Sequence, residues 1–387
     1  MSFSLSCFSE IIAKYNTWEA LRDFVVSEEG GSLRVIDSPE RTTAIIRYTK
    51  EKSDFTKNHV GAFRSVVWNK VTNRPVSVAP VKAMEDGLSN VNVHVSDFVD
   101  GTMIQAWKES GNIQIASRSS IGAETKFYSE RSFSQLFNDA LINSGGAVKF
   151  LDSVLENNTF VSFILQHREH KIVAPVAYNR IFVTHYGKID ESGLVSMYFL
   201  PEHMPERLAS YVPHVHENTT FVTDEKSAID GMRHLQNSYT WQGLVFQDLN
   251  SSRRWRFRNP AYMVVRSLRG SEANPLERFL RLRASGKVKQ YLGYFREEGP
   301  AMWEFEQTLR SITEDLYNSY NDMNKFKTKG MRDLLYSLRP HVYALHGVYL
   351  KRINDPLVSV KSMLKDDVVK YVNSLAVAEQ VKLFKRL

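Results

Sequence analysis

Between Arg253 and Lys289 the chain carries eleven basic side chains against two acidic ones, Glu272 and Glu277, so the partner this chemistry favours is a polyanion. The densest stretch, Arg254-Trp255-Arg256-Phe257-Arg258, alternates guanidinium with aromatic groups. Such a stretch could stack unpaired bases while its arginines hold phosphates, or it could be a strand with Trp255 and Phe257 turned to a core and the arginines outward. A second feature is Val95-Ser96-Asp97-Phe98-Val99-Asp100-Gly101-Thr102-Met103-Ile104, two β-rich runs joined at an Asp-Gly turn, which alone is hairpin chemistry. Other constellations are weak. His167, His170 and His185 lie on or near β-rich runs, and His341 and His346 are five apart, missing the spacing of four that a helical metal pair prefers, so no metal site is expected. Asn143-Ser144-Gly145-Gly146 lacks a phosphate-binding signature, and without a Gly-x-x-x-x-Gly-Lys run a P-loop is excluded. Cys7 stands alone, which rules out an internal disulfide and predicts a small buried apolar residue.

The elements that must position these residues follow from periodicity. Ile11, Ile12, Tyr15, Trp18, Leu21 and Phe24 recur at three and four and predict a helix from Cys7 to Val26, ended by Gly30-Gly31. Short β-rich runs follow at 33–36, 43–48, 65–68, 76–79, 91–95, 103–107 and 113–116. A helical stretch from Ser132 to Leu155, broken near Ser144-Gly145-Gly146, precedes further strands at 160–165, 171–174, 181–186 and 194–199. A helix from Lys226 to Leu235 and a strand pair at 243–246 and 254–257 complete an α+β domain of antiparallel sheets with flanking helices. Asn259-Pro260 and Asn274-Pro275 then mark helix starts, and the three-or-four spacing from Met302 to Leu375 predicts an all-helical C-terminal domain. The expected domains are residues 1–262 and 263–387.

A hydrophobic content of 43% is enough for two buried cores, and a net charge of +7 over 387 residues makes the placement of charge matter more than its total. No window reaches 18 uncharged apolar residues, and Met1-Ser2-Phe3-Ser4-Leu5 lacks the basic and apolar blocks of a signal peptide. The expectation is an intracellular, cytoplasmic protein with no membrane partner.

Read in order, several segments resemble the adenylate-binding domain of the bacteriophage-type RNA ligases, in the covalent nucleotidyltransferase superfamily. Phe63-Arg64-Ser65-Val66-Val67-Trp68 is similar to that family's Arg-Gly-hydrophobic strand, and Ala79-Pro80-Val81-Lys82 to its Pro-x-x-Lys segment. Phe98-Val99-Asp100-Gly101, with Arg118 following, stands where the family has its lysine-nucleophile motif. Phe160-Val161-Ser162-Phe163, then His170-Lys171-Ile172-Val173, matches Phe-Glu-Phe and Asn-Arg-Ile-Val; Trp241-Gln242-Gly243-Leu244-Val245 matches Glu-Gly-x-Val. Arg254-Trp255-Arg256-Phe257-Arg258 through Tyr262 matches Lys-x-Lys followed by Tyr. The resemblance spans about residues 8 to 265. Tyr262-Met263-Val264-Val265-Arg266-Ser267-Leu268-Arg269-Gly270 also resembles a segment of ligase-like proteins of large DNA viruses, which implies a viral origin.

In that family a lysine amine attacks the α-phosphate of ATP, and the lysyl-AMP is passed to an RNA 5′-phosphate. Here Phe98 holds the lysine's position and has no nucleophilic atom, while Ser162 and Gln242 replace the two glutamates that help hold nucleotide and Mg²⁺. Arg64, Lys82, Asp100, Gly101, Arg118, Gln242, Arg256 and Arg258 are the positions the resemblance assigns to nucleotide or phosphate binding. The implied function is a degenerate, RNA-ligase-like protein that binds RNA or a nucleotide without forming the adenylate. Two alternatives stand beside it. One is an active ligase, using ATP and Mg²⁺, whose nucleophile is a displaced lysine, Lys82 or Lys126; the other is a non-catalytic interaction or structural protein reusing the fold.

Overall fold

β-branched and aromatic runs become fourteen strands among the described residues, and in this computed structural model all of their ladders are antiparallel. The structure describes residues 2–84, 87, 92–145, 148–213, 221–222, 225–355 and 361–385. In chain order the first strands are β1 (Ser2–Leu5), β2 (Arg34–Ile36), β3 (Thr43–Arg47), β4 (Val66–Asn69), β5 (Arg74–Val78), β6 (Val93–Asp97) and β7 (Thr102–Glu109). They are followed by β8 (Asn112–Ser117), β9 (Thr159–Gln166), β10 (Arg180–Ile189), β11 (Val195–Tyr198), β12 (Phe221–Val222), β13 (Gly243–Asp248) and β14 (Arg254–Arg258). Three sheets result, with orders β1-β11-β10-β9-β7-β8, β12-β6-β13-β14 and β2-β3-β4-β5.

The six-stranded sheet is buried on both faces, which is why β9 reads as a continuous apolar run instead of alternating. One face meets the β2–β5 sheet and the N-terminal helices through Trp68, Trp107, Phe160 and Met197; the other meets helices Phe133–Asn143 and Val148–Val154 through Leu136, Phe137, Phe163 and Val183. The four-stranded sheet β12-β6-β13-β14 has its own core of Val95, Leu244, Phe246 and Trp255, packed on Ala228 and Met232. Gly101 starts the return into β7 under a tight constraint: a Cβ there would lie 2.5 Å from the Leu165 carbonyl oxygen and 2.5 Å from Ile164 Cγ2 of β9. The Asp-Gly pair is therefore needed for close strand approach as well as for the turn.

Contacts divide the chain into Met1–Arg266 and Ser267–Leu387. The second unit is helical among its described residues, with Pro275–Ala284, Gly299–Tyr320, Arg339–Ile353, Lys365–Ser374 and Val377–Phe384 contributing Phe279, Leu309, Leu316, Val342, Val368 and Leu383 to its interior. Both Asn-Pro pairs start helices as expected: Asn259 Oδ1 accepts from the Ala261 N–H at 3.2 Å, and Asn274 Oδ1 from the Leu276 N–H at 2.9 Å.

The α+β organisation with a helical C-terminal part matches the expectation, but several elements differ. The expected helix over Cys7–Val26 is two helices, Cys7–Lys14 and Trp18–Val26, because Thr17 adopts an extended backbone and its hydroxyl caps the Ala20 N–H. Ser2–Leu5 is a strand that the short run did not suggest; it forms because β11 offers an edge to pair with. The strand expected at 171–174 is absent, since the N–H groups of Val173 and Ala174 go to the Asp100 carboxylate instead of to a ladder. The helix expected to reach Leu235 stops at Gly231 and continues as a short 3₁₀ turn, Arg233–Leu235. Val91 and Gly146, at the edges of two expected features, lie outside the described residues. Cys7 is only half-buried, packed at the margin of the core, and burial pushes its thiol up to about 12. No helix among the described residues is long and apolar enough to cross a membrane.

Candidate functional site

The site is built on one face of the four-stranded sheet. Antiparallel register sets His94, Gln247 and Arg254 side by side across β6, β13 and β14, with Ser96, Val245 and Arg256 as the next row on the same face. Opposite them stand Met103 from β7, Ile164 from β9, and Thr184 and His185 from β10; Arg64, Asp97 and Phe98 are also among the lining residues. A β-bulge between Val183 and His185 turns two consecutive residues of β10 toward the same cavity. The enclosed space is about 80 Å³.

Two arginines dominate its electrostatics. Burial, reinforced by Arg64 and Arg256, pulls the Arg254 guanidinium down to about 9, and Arg64 is lowered by burial and by Arg118 and Arg256. A guanidinium stays protonated throughout the physiological range, so these shifts measure uncompensated positive charge, not deprotonation. Arg254 Nε and Nη1 are buried without a hydrogen-bond partner, and neither Arg64 nor Arg254 has an ion pair among the described residues. The cavity's one carboxylate among those residues, Asp97, accepts from Trp241 Nε1 at 3.3 Å. Burial of an unpaired charge is costly enough that an anion in the cavity would be strongly favoured.

Two histidines share the space. His185 is held well below the usual histidine range by burial and by Arg254, Arg64 and His94, with the neighbouring Gln247 side chain acting in the opposite direction. Burial likewise lowers His94 to about 4. Both are neutral in the unliganded protein, and a neutral imidazole keeps one N–H that can donate to an anion.

The residues expected at the site separate into three groups. Arg64 and Phe98 line the cavity, and Arg256 lies beside it with its guanidinium 5.7 Å from the Phe98 ring centroid. Arg118 and Lys82 act behind it. Arg118 donates from Nε to the Arg64 carbonyl at 3.3 Å while lying over the Tyr48 ring, and the Lys82 ammonium sits 4.7 Å over Phe55. The remaining positions are structural or peripheral. Asp100 is a half-buried hub: Oδ2 accepts from the N–H groups of Val173 and Ala174 at 3.1 and 3.0 Å, and Oδ1 accepts from the Tyr262 hydroxyl at 2.8 Å. Burial pushes its carboxyl up against these three donors. Gly101 is fixed by β9, and Arg258 sits opposite Gly243 at the end of β14, outside the cavity lining. Gln242 precedes β13 with its side-chain oxygen buried and unpartnered, and Ser162, between Gln105 and His185 in the ladder, has an unpartnered buried hydroxyl.

One open choice is decided here and two sequence expectations are corrected. Trp255 takes the core-facing alternative and cannot stack a base, because it is buried and stacked on Phe246 with ring centroids 5.4 Å apart. The basic run 253–289 is not one polyanion surface: within the second unit Arg269 and Arg278 pair with Glu298, Arg281 with Glu272 and Arg283 with Glu306. The cavity-facing arginine of β14 is Arg254, which the motif reading left out of the site. Period two in Arg254-Trp255-Arg256 already placed it on the face of Arg256, so that signal was present; His94, His185 and Gln247 carried none.

The cavity does not fit Mg²⁺-ATP. Ser162 and Gln242 supply no charge for the metal, and about 80 Å³ is several-fold below the roughly 300 Å³ at which pockets begin to hold nucleotide-sized ligands. Neither Lys82 nor Lys126 lines it. Among the described residues no three His, Cys, Asp or Glu side chains converge as metal ligands.

No protein-family model and no curated protein sequence matches the chain. Among solved structures it is similar to a putative ATP-dependent DNA ligase from Aquifex aeolicus, with 15% identity, a TM-score of 0.42, and 78% of this chain and 75% of that chain covered. It is also similar to an archaeal ATP-dependent RNA ligase, with 14% identity, a TM-score of 0.41, and coverage of 77% and 74%. A Naegleria gruberi RNA ligase with PPi gives 15% identity, a TM-score of 0.31, and coverage of 46% and 52%. At such TM-scores the likeness determines neither substrate nor activity.

Proposed function

We propose that this chain binds the 5′-phosphate of an RNA strand in the cavity between the two sheets, without forming a covalent adenylate. The observation that carries the reading is the half-buried Arg254, whose Nε and Nη1 are buried and unpartnered, sharing with Arg64 a cavity whose one described carboxylate is already engaged by Trp241. An arginine fork matches a phosphate bidentately, and His185 lines the same cavity. Phe98 in the cavity lining supplies no nucleophile, and the Arg256 guanidinium lies over its ring.

Fluorescence anisotropy at low salt with matched single-stranded RNAs, with and without a 5′-phosphate, tests this. Wild type is expected to prefer the phosphorylated strand by about tenfold, the scale of one charge-assisted hydrogen-bonded contact. Arg254→Gln is expected to abolish the preference, and equal binding of both strands by wild type defeats the reading.

Phe98→Lys alone is expected not to produce protein-bound label from α-labelled ATP and Mg²⁺. The new ammonium would enter beside Arg256, and no glutamate replaces Ser162 or Gln242 to organise metal and nucleotide. Denaturation-resistant label on wild type that vanishes in Lys82→Ala or Lys126→Ala would instead establish the displaced-lysine alternative.

A further inference from the structure

A second concavity, more open than the first and about 590 Å³, lies at the start of β10, and Val212 lines both spaces. Its walls include Arg168, Tyr178, Arg180, Phe182 and Tyr211, and among the described lining residues none is acidic. The arginines are held over aromatic rings: Arg168 lies 5.9 Å from the Tyr178 centroid and Arg180 4.8 Å from the Phe182 centroid. Arg180 donates from Nε to Gln166 Oε1 at 3.0 Å, and Arg168 donates to the Ala177 carbonyl, so neither is neutralised by a carboxylate among the described residues. Tyr178 is 72% exposed, which leaves its ring accessible from the groove. One strand joins the two spaces, since β10 presents Phe182 to the groove and, past its bulge, Thr184 and His185 to the arginine cavity.

We propose that this groove is a binding site for the unpaired nucleotides next to the phosphate end, with a base stacked on Tyr178 or Phe182 and Arg168 and Arg180 against the backbone. The inference rests on the reading of the arginine cavity as a phosphate site and extends it to a single-stranded track. Aromatic faces flanked by arginines bind unpaired bases of any sequence, and the groove's size is that of a site for one nucleotide-sized group. Bases inside a duplex are stacked on both faces whereas those of a single strand can be splayed out onto these rings, so single strands are the preferred form.

The test uses the full chain and the same two RNAs. Tyr178→Ala and Arg180→Gln, both at exposed positions, are each expected to weaken binding of phosphorylated and unphosphorylated strands alike by about tenfold. The wild-type preference for the phosphate should survive in both variants. Arg180→Gln should also reduce the slope of log affinity against log salt by about 0.7, the value for one single-strand phosphate contact. Unchanged binding of both strands by both variants, with the phosphate preference intact, overturns the groove while leaving the cavity reading in place. The opposite pattern, weakened variants with a wild type indifferent to the phosphate, overturns the cavity reading and supports the groove alone. Equal affinity for a blunt duplex of the same sequence overturns the single-strand assignment.

Discussion

Replacing Asp100 by alanine is expected to lower the free energy of unfolding by about 3–5 kcal/mol, because the N–H groups of Val173 and Ala174 and the Tyr262 hydroxyl would be left buried without their acceptor. Urea unfolding of the full chain followed by far-UV circular dichroism reads this directly. Tyr262→Phe, which removes one of the three hydrogen bonds and leaves the carboxylate two donors, should cost about 1 kcal/mol. The comparison separates two roles for the aspartate in Phe98-Val99-Asp100-Gly101. A residue that served only to touch a ligand would leave the unfolding midpoint unmoved in Asp100→Ala and alter RNA binding instead. Here the carboxylate joins the 172–174 segment and the start of the helix Pro260–Arg269 to the strand junction, so its loss should act on the fold.

Acidification is the second large effect. His94 titrates near 4 when folded and near its ordinary 6.5 when unfolded, so between these values the unfolded chain binds more protons and stability falls as the pH drops. The contribution of His94 is fully present above pH 6.5 and is lost progressively down to about pH 4. Each tenfold change in proton affinity is worth about 1.4 kcal/mol, so His94 accounts for about 3 kcal/mol. His185, lowered by burial and the two arginines, adds in the same direction. Asp100, raised by burial, has the opposite sign, so the informative quantity is the difference between wild type and His94→Gln. Melting temperatures from pH 7 to pH 4 in a phosphate-free buffer should converge for the two proteins as the pH falls. Parallel curves would mean that His94 is not held neutral by the fold.

Periodicity made most of the secondary structure legible, and two of the misses share a cause. A three-and-four apolar pattern ran through Tyr15 and Trp18, yet Thr17 capped a new helix; a β-rich run at 171–174 lost its ladder to the Asp100 carboxylate. Both arose where a side chain competed with the backbone for a hydrogen bond, and a hydropathy pattern carries no record of such competition; strand Ser2–Leu5 was missed because the edge of β11 that pairs with it is remote in sequence.

The same division holds for the site. By itself the sequence determined that no lysine stands at Phe98, that Ser162 and Gln242 bring no negative charge, and that Arg254, Arg256 and Arg258 share one face of a strand, because residue identity and strand alternation suffice for each. Only the tertiary structure decided which charges remain uncompensated. Ion pairs with Glu298, Glu272 and Glu306 neutralise the later arginines of a run that looked uniformly basic, whereas Arg64 and Arg254, from segments far apart in the chain, meet in a cavity without such partners among the described residues. Coulomb energy and desolvation depend on distances and burial across sheets, so an unpaired charge exists as a functional feature only once the chain has folded.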